Sequence, residues 1–489
     1  MHVAIEYILV VAAGLLIMSV IASKASTRFG IPALVLFLGI GMLAGSEGPG
    51  GIYFDDAALA QAIGVVSLMF ILFSGGLATD WHAIRPVLGR GLALANVGVA
   101  LSALMMGLFA SYVLGFSWLE GLLLGVIVSS TDAAAVFAVL RASGVDLADD
   151  LEPLIELESG SNDPIAVFLT AAVTSLLLHP GASVLALVPE FILEMVLGTV
   201  AGVVMGRVMA LAINRLRLTA EGLYPVLMIA MVLLTYGGTA ALGGNGFLAV
   251  YLAGIVVGNL DFVHKRSLIL FHDGLAWLVQ IAMFLTLGLL VFPSRLLPVA
   301  GSGLLAAAFL IVLARPLSVI LALAPFRMRL REMLMVSWVG LRGAVPIVLA
   351  TFPLLAGLPH ADLIFNMVFF IVVTSVLLQG TSIPLVGRLL GVGSPPVAPR
   401  ATRLFVPRVT VRSHVAEFEI DARSRFRGAT VLDLGLPPGA LVVAINRGSD
   451  RIVPGGGTVL RAGDQLLILG DDPVLEEVQR HLTDVERPA

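Results

Sequence analysis

The sequence predicts an all-α polytopic membrane domain followed by a small, polar α/β domain. Three observations carry that expectation. Hydrophobic residues make up 58% of the 489 positions and charged residues only 13%, with a mean hydropathy of +1.01; water-soluble chains average roughly 25% charged. Apolar runs near 20 residues, the length that crosses a ~30 Å hydrocarbon core, recur through the first four fifths of the chain. The composition then breaks near residue 400. Residues 1–399 hold 17 Lys+Arg and 21 Asp+Glu, whereas residues 400–489 hold 12 and 12. Between them, GVGSPPVAPRATR carries three prolines and reads as a linker. The expected organisation is a membrane domain over 1–392, a linker over 393–410 and a cytoplasmic domain over 411–489.

In order along the chain, thirteen spans are expected near residues 3–23, 31–45, 58–78, 91–114, 118–140, 153–178, 188–213, 221–241, 245–259, 267–291, 297–323, 332–356 and 362–387, the second and ninth being short. The opening MHVAIEYILVVAAGLLIMSVIAS lacks a basic n-region and reads as a first helix, not a cleavable signal. With thirteen spans, one set of alternate loops carries Lys24, Arg28, Arg85, Arg90, Arg141, Arg215, Arg217, Lys265, Arg266, Arg327, Arg329, Arg331 and Arg388. The opposite set carries only Arg295, with Glu47, Asp55, Asp56 and Asp362. The positive-inside rule then puts the N-terminus outside and the C-terminal domain in the cytoplasm. A missed or invented span would scramble this asymmetry. A net charge of −4 provides no basic field for nucleic acid, and the absence of cysteine excludes disulfides and thiolate metal sites.

An ionisable group at membrane depth is expensive and normally faces a cavity or a partner. Glu6, Glu190, Glu194, Arg207, Asp261 and Asp273 lie near span edges, where snorkelling to water suffices, and Glu120 reads as interfacial. Asp132 in the fifth span, Asp163 in the sixth, Arg315 in the eleventh and Arg342 in the twelfth resist that explanation. His179, His264, His272 and His360 fall at span ends or in loops and read as surface residues or minor pH modulators.

The stretch ESGSNDP, Glu158 to Pro164, opens a long uncharged run. On a helix Ser159 and Asp163 are i and i+4 and share a face, and Glu158 and Asn162 share an adjacent one. One side offers a hydroxyl and a carboxylate to a small cation; the other lets Glu158 answer a buried arginine. Pro164 lacks an N–H and disfavours helical geometry at Asp163, so a weakened helix is expected there. SSTDAAA around Asp132 and GLRGAVP around Arg342 read as weak helices as well. Broken helices near the midplane expose carbonyls and half-helix dipoles, which is how secondary transporters build ion sites. The fifth and twelfth spans are seven apart, the spacing of equivalents in two six-helix repeats offset by one extra helix. Oxygen ligands of this kind suit Na⁺ or K⁺. Burial penalises a carboxylate's charge, so such a group holds a proton or a metal cation but not both, which is sufficient for antiport given alternating access.

At these residues the sequence resembles the monovalent cation:proton antiporter 1 family. The matching stretches are Thr131–Asp132, ESGSNDP at Glu158–Pro164, GNGFLAVYLAGIVVGN at Gly244–Asn259 and GLRGAVPI at Gly340–Ile347. They occur in family order across nearly the whole membrane domain, and ESGSNDP resembles the NhaP-type bacterial potassium/proton antiporters. The resemblance implies that Asp163 is the main ion- and proton-carrying carboxylate, supported by Asp132 and Asn162. Ser159 and the Thr131 carbonyl would complete the shell of a monovalent cation. Glu158 would form a buried ion pair with Arg315 or Arg342. The implied fold is an inverted-repeat bundle with a core and a dimerisation domain, working as a homodimer in a bacterial inner membrane. The Asn162–Asp163 pair implies electroneutral one-for-one exchange of K⁺, or Na⁺, for H⁺. Ser74 in ILFSGGL departs from the pattern, because many relatives carry an acid there.

In the tail, VAEFEI, ALVVAINR and QLLILG read as strands and DPVLEEVQRHL as a terminal helix. GLPPGALVVAINRG and RAGDQLLILG resemble the C-terminal domain of regulators of K⁺ conductance, the TrkA-C type. That implies dimerisation and sensing of a small regulatory ligand, such as the nucleotide cyclic di-AMP; the bland alternative is a dimer-stabilising cap. PGGGT at Pro454–Thr458 lacks the Lys-Ser/Thr ending of a phosphate loop and reads as a turn, and no dinucleotide fingerprint precedes the domain. No resident cofactor is expected. A ligand-gated cation channel is disfavoured by the lack of a TVGYG-like filter, and a membrane enzyme by the lack of a catalytic set on suitable spans.

Overall fold

The computed structural model of the chain describes residues 5–29, 32–143, 146–147, 150–394, 413–420, 424, 426–448 and 450–483. Its contacts divide it into two units, Met1–Pro399 and Arg400–Ala489. Most of the expected linker, from residue 395 to residue 410, lies outside the described residues.

In the first unit the membrane helices are α1 (Ile5–Phe29), α2 (Ala33–Ala44), α3 (Ala57–Ala78), α4 (Trp81–Val113), α5 (Trp118–Ile127), α6 (Ala133–Ser143), α7 (Leu151–Leu178) and α8 (Val184–Arg215). They continue with α9 (Leu223–Ala241), α10 (Gly246–Gly258), α11 (Lys265–Leu289), α12 (Pro293–Phe326), α13 (Leu330–Trp338), α14 (Ala344–Leu355) and α15 (Ala361–Leu390). Among the described residues nine are long and apolar enough to cross a membrane. Each expected span coincides with one helix or one interrupted pair. The fifth is split into α5 and α6, and the twelfth into α13 and α14. Short strands β1 (Asp146–Leu147) and β2 (Gly393–Ser394) pair antiparallel, so the first two residues of the expected linker belong to the membrane unit.

The two interruptions follow from local chemistry. Ser129, Ser130 and Thr131 form a run of hydroxyl residues that compete for backbone hydrogen bonds, and the Ser129 hydroxyl donates to Val126 O at 2.6 Å. Gly340 and Gly343 flank the other break and weaken helix by their conformational freedom. The third expected weak point differs. Helix α7 runs unbroken through Pro164. A proline there crowds the carbonyl of Gly160 and costs a main-chain bond, yet Pro164 is buried in the bundle, whose packing keeps the helix continuous. Asn245 Nδ2, from the start of α10, donates to Pro164 O at 3.2 Å and holds the segment. Close crossings are set by glycine elsewhere too: a Cβ on Gly254 of α10 would lie 2.6 Å from the Phe73 carbonyl of α3.

Three helices carry wider π turns: α4 at Leu94–Gly98, α12 at Leu310–Ala314 and α15 at Val376–Gly380. The second directly precedes Arg315, and such turns re-aim the residues that follow.

The second unit has strands β3 (Ser413–Glu419), β4 (Leu441–Arg447), β5 (Asp450–Ile452) and β6 (Gln465–Asp471), all antiparallel in the order β3-β6-β4-β5, and a terminal helix α16 (Asp472–Thr483). A β-bulge interrupts β4 between Val442 and Ala444. Ile445, Leu466, Ile468 and Val478 are fully buried between sheet and helix.

Candidate ion-binding site

The two interrupted spans meet. Asp132 N, at the end of the α5–α6 break, donates to Leu341 O in the α13–α14 break at 2.8 Å. A Cβ on Gly343 would sit 2.6 Å from Asp132 Cβ and Cγ, so only glycine lets the breaks approach this closely. Asp132 Oδ1 accepts from Ala135 N at 3.0 Å and so caps α6. Arg342 Nη1 donates to Ser129 O at 2.5 Å and to Ser130 O at 2.8 Å. Its positive charge therefore lies at the C-terminal end of α5, where unsatisfied carbonyls gather partial negative charge.

Helix α7 closes the crossing from one side. Ser159 Oγ donates to Thr131 O at 2.9 Å and accepts from Ala133 N at 3.1 Å. Asn162 Nδ2 donates to Thr131 Oγ1 at 2.6 Å, and Thr131 N donates to Asn162 Oδ1 at 3.5 Å. Ser130 Oγ donates to Asp163 Oδ1 at 2.5 Å. Five residues singled out in the sequence, Thr131, Asp132, Ser159, Asn162 and Asp163, thus converge on one break. Asn162 is fully buried and Asp163 only 7% exposed. The Thr131 carbonyl keeps one lone pair beyond its bond to Ser159.

Glu158, next in sequence to Ser159, turns to the opposite side. Arg315 Nη1 of α12 lies 2.6 Å from Glu158 Oε1, and both side chains are at most 3% exposed. The approach is off the hydrogen-bonding direction, since Glu158 Oε1 and Arg315 Nε have no hydrogen-bond partner; the contact is an ion pair. Of the two arginines that the sequence offers Glu158, Arg315 makes the pair. Arg342 does not: its guanidinium is taken by the carbonyls of Ser129 and Ser130.

A cavity of about 700 Å³ reaches this point. Ser130, Thr131, Asp132, Ser159 and Asp163 line its inner end, Ser74, Thr79, Glu156 and Tyr251 its wall, and Arg141, Glu152 and Asp273 its mouth. Arg141 and Glu152 sit at helix ends next to the basic loops, and Asp273 lies about two turns into α11 from its basic end. Among the described residues the lining offers carboxylate, hydroxyl and carbonyl oxygens, which suit a monovalent cation, and no thiolate or imidazole.

Comparison with known proteins agrees with this geometry. The family described as "Sodium/hydrogen exchanger, transmembrane" matches residues 14–389, and the TrkA-C domain matches residues 415–483. The chain belongs to the sodium/hydrogen exchanger family. As an exchanger it is a multi-pass membrane antiporter of cations and protons, not an enzyme. It is 40% identical over 477 residues to the K(+)/H(+) antiporter NhaP2 of Shewanella sp. (strain ANA-3), covering 97% of this chain and 83% of that one. It is 39% identical over 471 residues to the K(+)/H(+) antiporter NhaP of Alkalimonas amylolytica, covering 95% and 81%. The sodium proton antiporter MjNhaP1 from Methanocaldococcus jannaschii shares the fold, with a TM-score of 0.67 at 24% identity over 78% of this chain and 99% of that one.

Ser130, Glu156 and Thr79 line the exchanger's cavity without having been singled out in the sequence. Ser130 is the direct partner of Asp163, yet it read only as one hydroxyl in a weak helix. Glu156 is seven residues before Asp163, a spacing that puts both on one face of α7, and Thr79 donates to it. Ser74 lines the cavity with a hydroxyl, so α3 supplies no carboxylate at that position. His272, expected at the surface, is buried against Phe73 and Phe271 with both ring nitrogens unpartnered among the described residues. It sits one residue before Asp273, whose side chain takes the exposed side of α11.

Proposed function

We propose that this exchanger is a secondary active antiporter that exchanges K⁺ for H⁺ across a bacterial inner membrane. It works by alternating access, with cation and proton competing for Asp163. The observation that carries the reading is the placement of Asp163: a nearly buried carboxylate at the inner end of an open cavity, beside the contact of two interrupted helices. A bound proton or a bound cation each neutralises that carboxylate, and only one fits at a time. Asn162 spends its neutral amide on Thr131, so the pair Asn162–Asp163 carries a single negative charge, which supports electroneutral one-for-one exchange. Asp132, Ser159 and the Thr131 carbonyl are the neighbouring oxygens that would share the cation, and Glu158–Arg315 would brace α7 against α12.

The cavity mouth lies towards the helix ends next to the basic loops. By the positive-inside rule that side is the cytoplasm, so the conformation described is open inward. The N-terminus is then outside and the TrkA-C domain cytoplasmic. That domain would regulate transport in a homodimer and answer a small nucleotide such as cyclic di-AMP.

K⁺ is favoured by the potassium antiporters that this chain matches over nearly its whole length. Na⁺ is the second reading, favoured by the description of the family and by the archaeal antiporter of the same fold. The deciding experiment is cation-dependent collapse of an acid-inside pH gradient in everted vesicles, with K⁺, Na⁺, Rb⁺ and Li⁺ in parallel. K⁺ and Rb⁺ active at lower concentration than Na⁺ supports the first reading; the reverse order supports the second. Steady exchange that depends strongly on imposed voltage would rule out the one-for-one stoichiometry.

A further inference from the structure

The cavity contains a second carboxylate that the reading above leaves without a task. Glu156 lies on α7 seven residues before Asp163, about 10 Å nearer the mouth at 1.5 Å per residue. Glu156, Ser159, Gly160 and Asp163 all line the cavity, the i, i+3, i+4, i+7 pattern of one helix face. Among the described residues no arginine or lysine pairs with Glu156. Its hydrogen-bond partner is the hydroxyl of Thr79, at the C-cap of α3.

That hydroxyl has a second claim on it. Thr79 Oγ1 also lies 3.0 Å from Gly75 O. A threonine hydroxyl carries one proton, so it can donate to Gly75 or to Glu156, but not to both. With Glu156 ionised, the hydroxyl proton goes to Glu156, and Gly75 O keeps the Thr79 backbone N–H at 3.1 Å. With Glu156 protonated, Glu156 can donate to Thr79 and Thr79 to Gly75, so the same hydroxyl serves either state of the carboxyl. The main chain around Thr79 is held independently: Asn259 Nδ2 of the α10 C-cap donates to Thr79 O at 2.8 Å.

The surroundings favour cations. On α7 itself Glu152 stands one turn nearer the mouth, and Asp163 lies two turns deeper. Asp80 follows Thr79, Tyr251 faces the cavity from α10, Asp132 from the α5–α6 break, Arg141 from α6, and Asp273 from α11. Arg141 is the only basic group in this set, and an acidic cleft raises the local concentration of cations.

We propose that Glu156 is a second exchanging carboxylate of the transport path, a vestibule station that takes up a monovalent cation as it releases its proton to the cytoplasmic side. The carboxylate is neutral before and after the step, and the Thr79 hydroxyl moves from acceptor to donor as the proton leaves. The proposal rests on the exchange reading of Asp163 and adds to it a site that sets cation affinity.

The test measures the apparent KM for K⁺ and the pH dependence of exchange in everted vesicles, at matched membrane abundance. Glu156→Gln should raise the apparent KM about fivefold or more with the maximal rate within about a factor of two, and should flatten part of the pH dependence; Glu156→Asp should restore both. Thr79→Val keeps the carboxylate and removes the switching hydroxyl, so it should move the pH profile with little change in KM. If Glu156 only ties α7 to α3, the glutamine variant keeps that tie, and its KM and pH profile match wild type; that result overturns the proposal. If the glutamine variant fails to accumulate, an unmoved pH profile in Thr79→Val overturns it. Wild-type vesicles without cation-dependent collapse would instead defeat the exchange reading itself, a failure visible before any Glu156 variant is measured.

Discussion

The Ser130 hydroxyl donates to Asp163 Oδ1 at 2.5 Å. This contact joins the interruption of the fifth span to the one acidic side chain of the sixth span that combines near-complete burial with a place at the cavity's inner end. It fixes one carboxylate oxygen and leaves the other to the cavity. A hydrogen bond to a charged group contributes about 1.5–3 kcal/mol. Ser130→Ala should therefore raise the apparent KM for the transported cation roughly tenfold, about 1.4 kcal/mol, with abundance unchanged. Vesicle exchange at graded cation concentration measures it.

The Glu158–Arg315 pair is buried on both sides. Removing one partner of such a pair strands the other and costs about 3–5 kcal/mol. Glu158→Gln and Arg315→Met should each lower the melting temperature of the purified protein and its yield. The double variant should recover much of the loss, because the two changes are coupled. Strictly additive losses would count against the pairing.

Gly343 faces Asp132 with no room for a Cβ. Gly343→Ala should push the two interrupted spans apart at the cavity's inner end. Exchange should fall by roughly a hundredfold, the scale of a misplacement of about 1 Å at a reacting centre. A wild-type rate at equal abundance would show that the contact is slack.

In the tail, Arg447 Nε and Nη2 donate to Asp464 Oδ1 and Oδ2 at 2.8 and 2.7 Å. The hydrogen bonds from Arg447 hold the Asp464 carboxyl below the usual aspartate range, against burial, with Arg461 N adding to the effect. The folded-state value is lowered, so the stabilisation is fully present above an ordinary aspartate value of about 3.9 and is lost as pH falls through the folded value. Asp464→Asn should speed hydrogen exchange at the β4 and β6 amides at neutral pH. Its effect should shrink as the medium is acidified below that range.

Much of the fold was legible because lipid leaves few options: an apolar run of the right length must be a helix, and each expected span coincides with one helix or one interrupted pair. The interruptions at Ser129–Asp132 and Leu341–Gly343 were legible in hydroxyl and glycine content. Pro164 was misleading. Local rules weaken α7 there, but burial in the bundle and the bond from Asn245, 81 residues away in sequence, override them, and neither is visible in a seven-residue window. The choice of Arg315 over Arg342 was also hidden. Both sit in spans, and what separates them is a π turn before one and a pair of free carbonyls beside the other. Glu156 was passed over because the polar stretch seemed to start at Glu158, although the helical period links 156 to 163. His272 looked like a span-end residue, and only the packing of Phe73 and Phe271 puts it inside.

The central claim is that Asp163 carries both ions. Its direct test is cation-dependent collapse of an acid-inside pH gradient in everted vesicles with wild type and Asp163→Ala at equal membrane abundance. Collapse with wild type and none with the variant, for every cation tested, is the predicted result. Exchange retained in Asp163→Ala would contradict it.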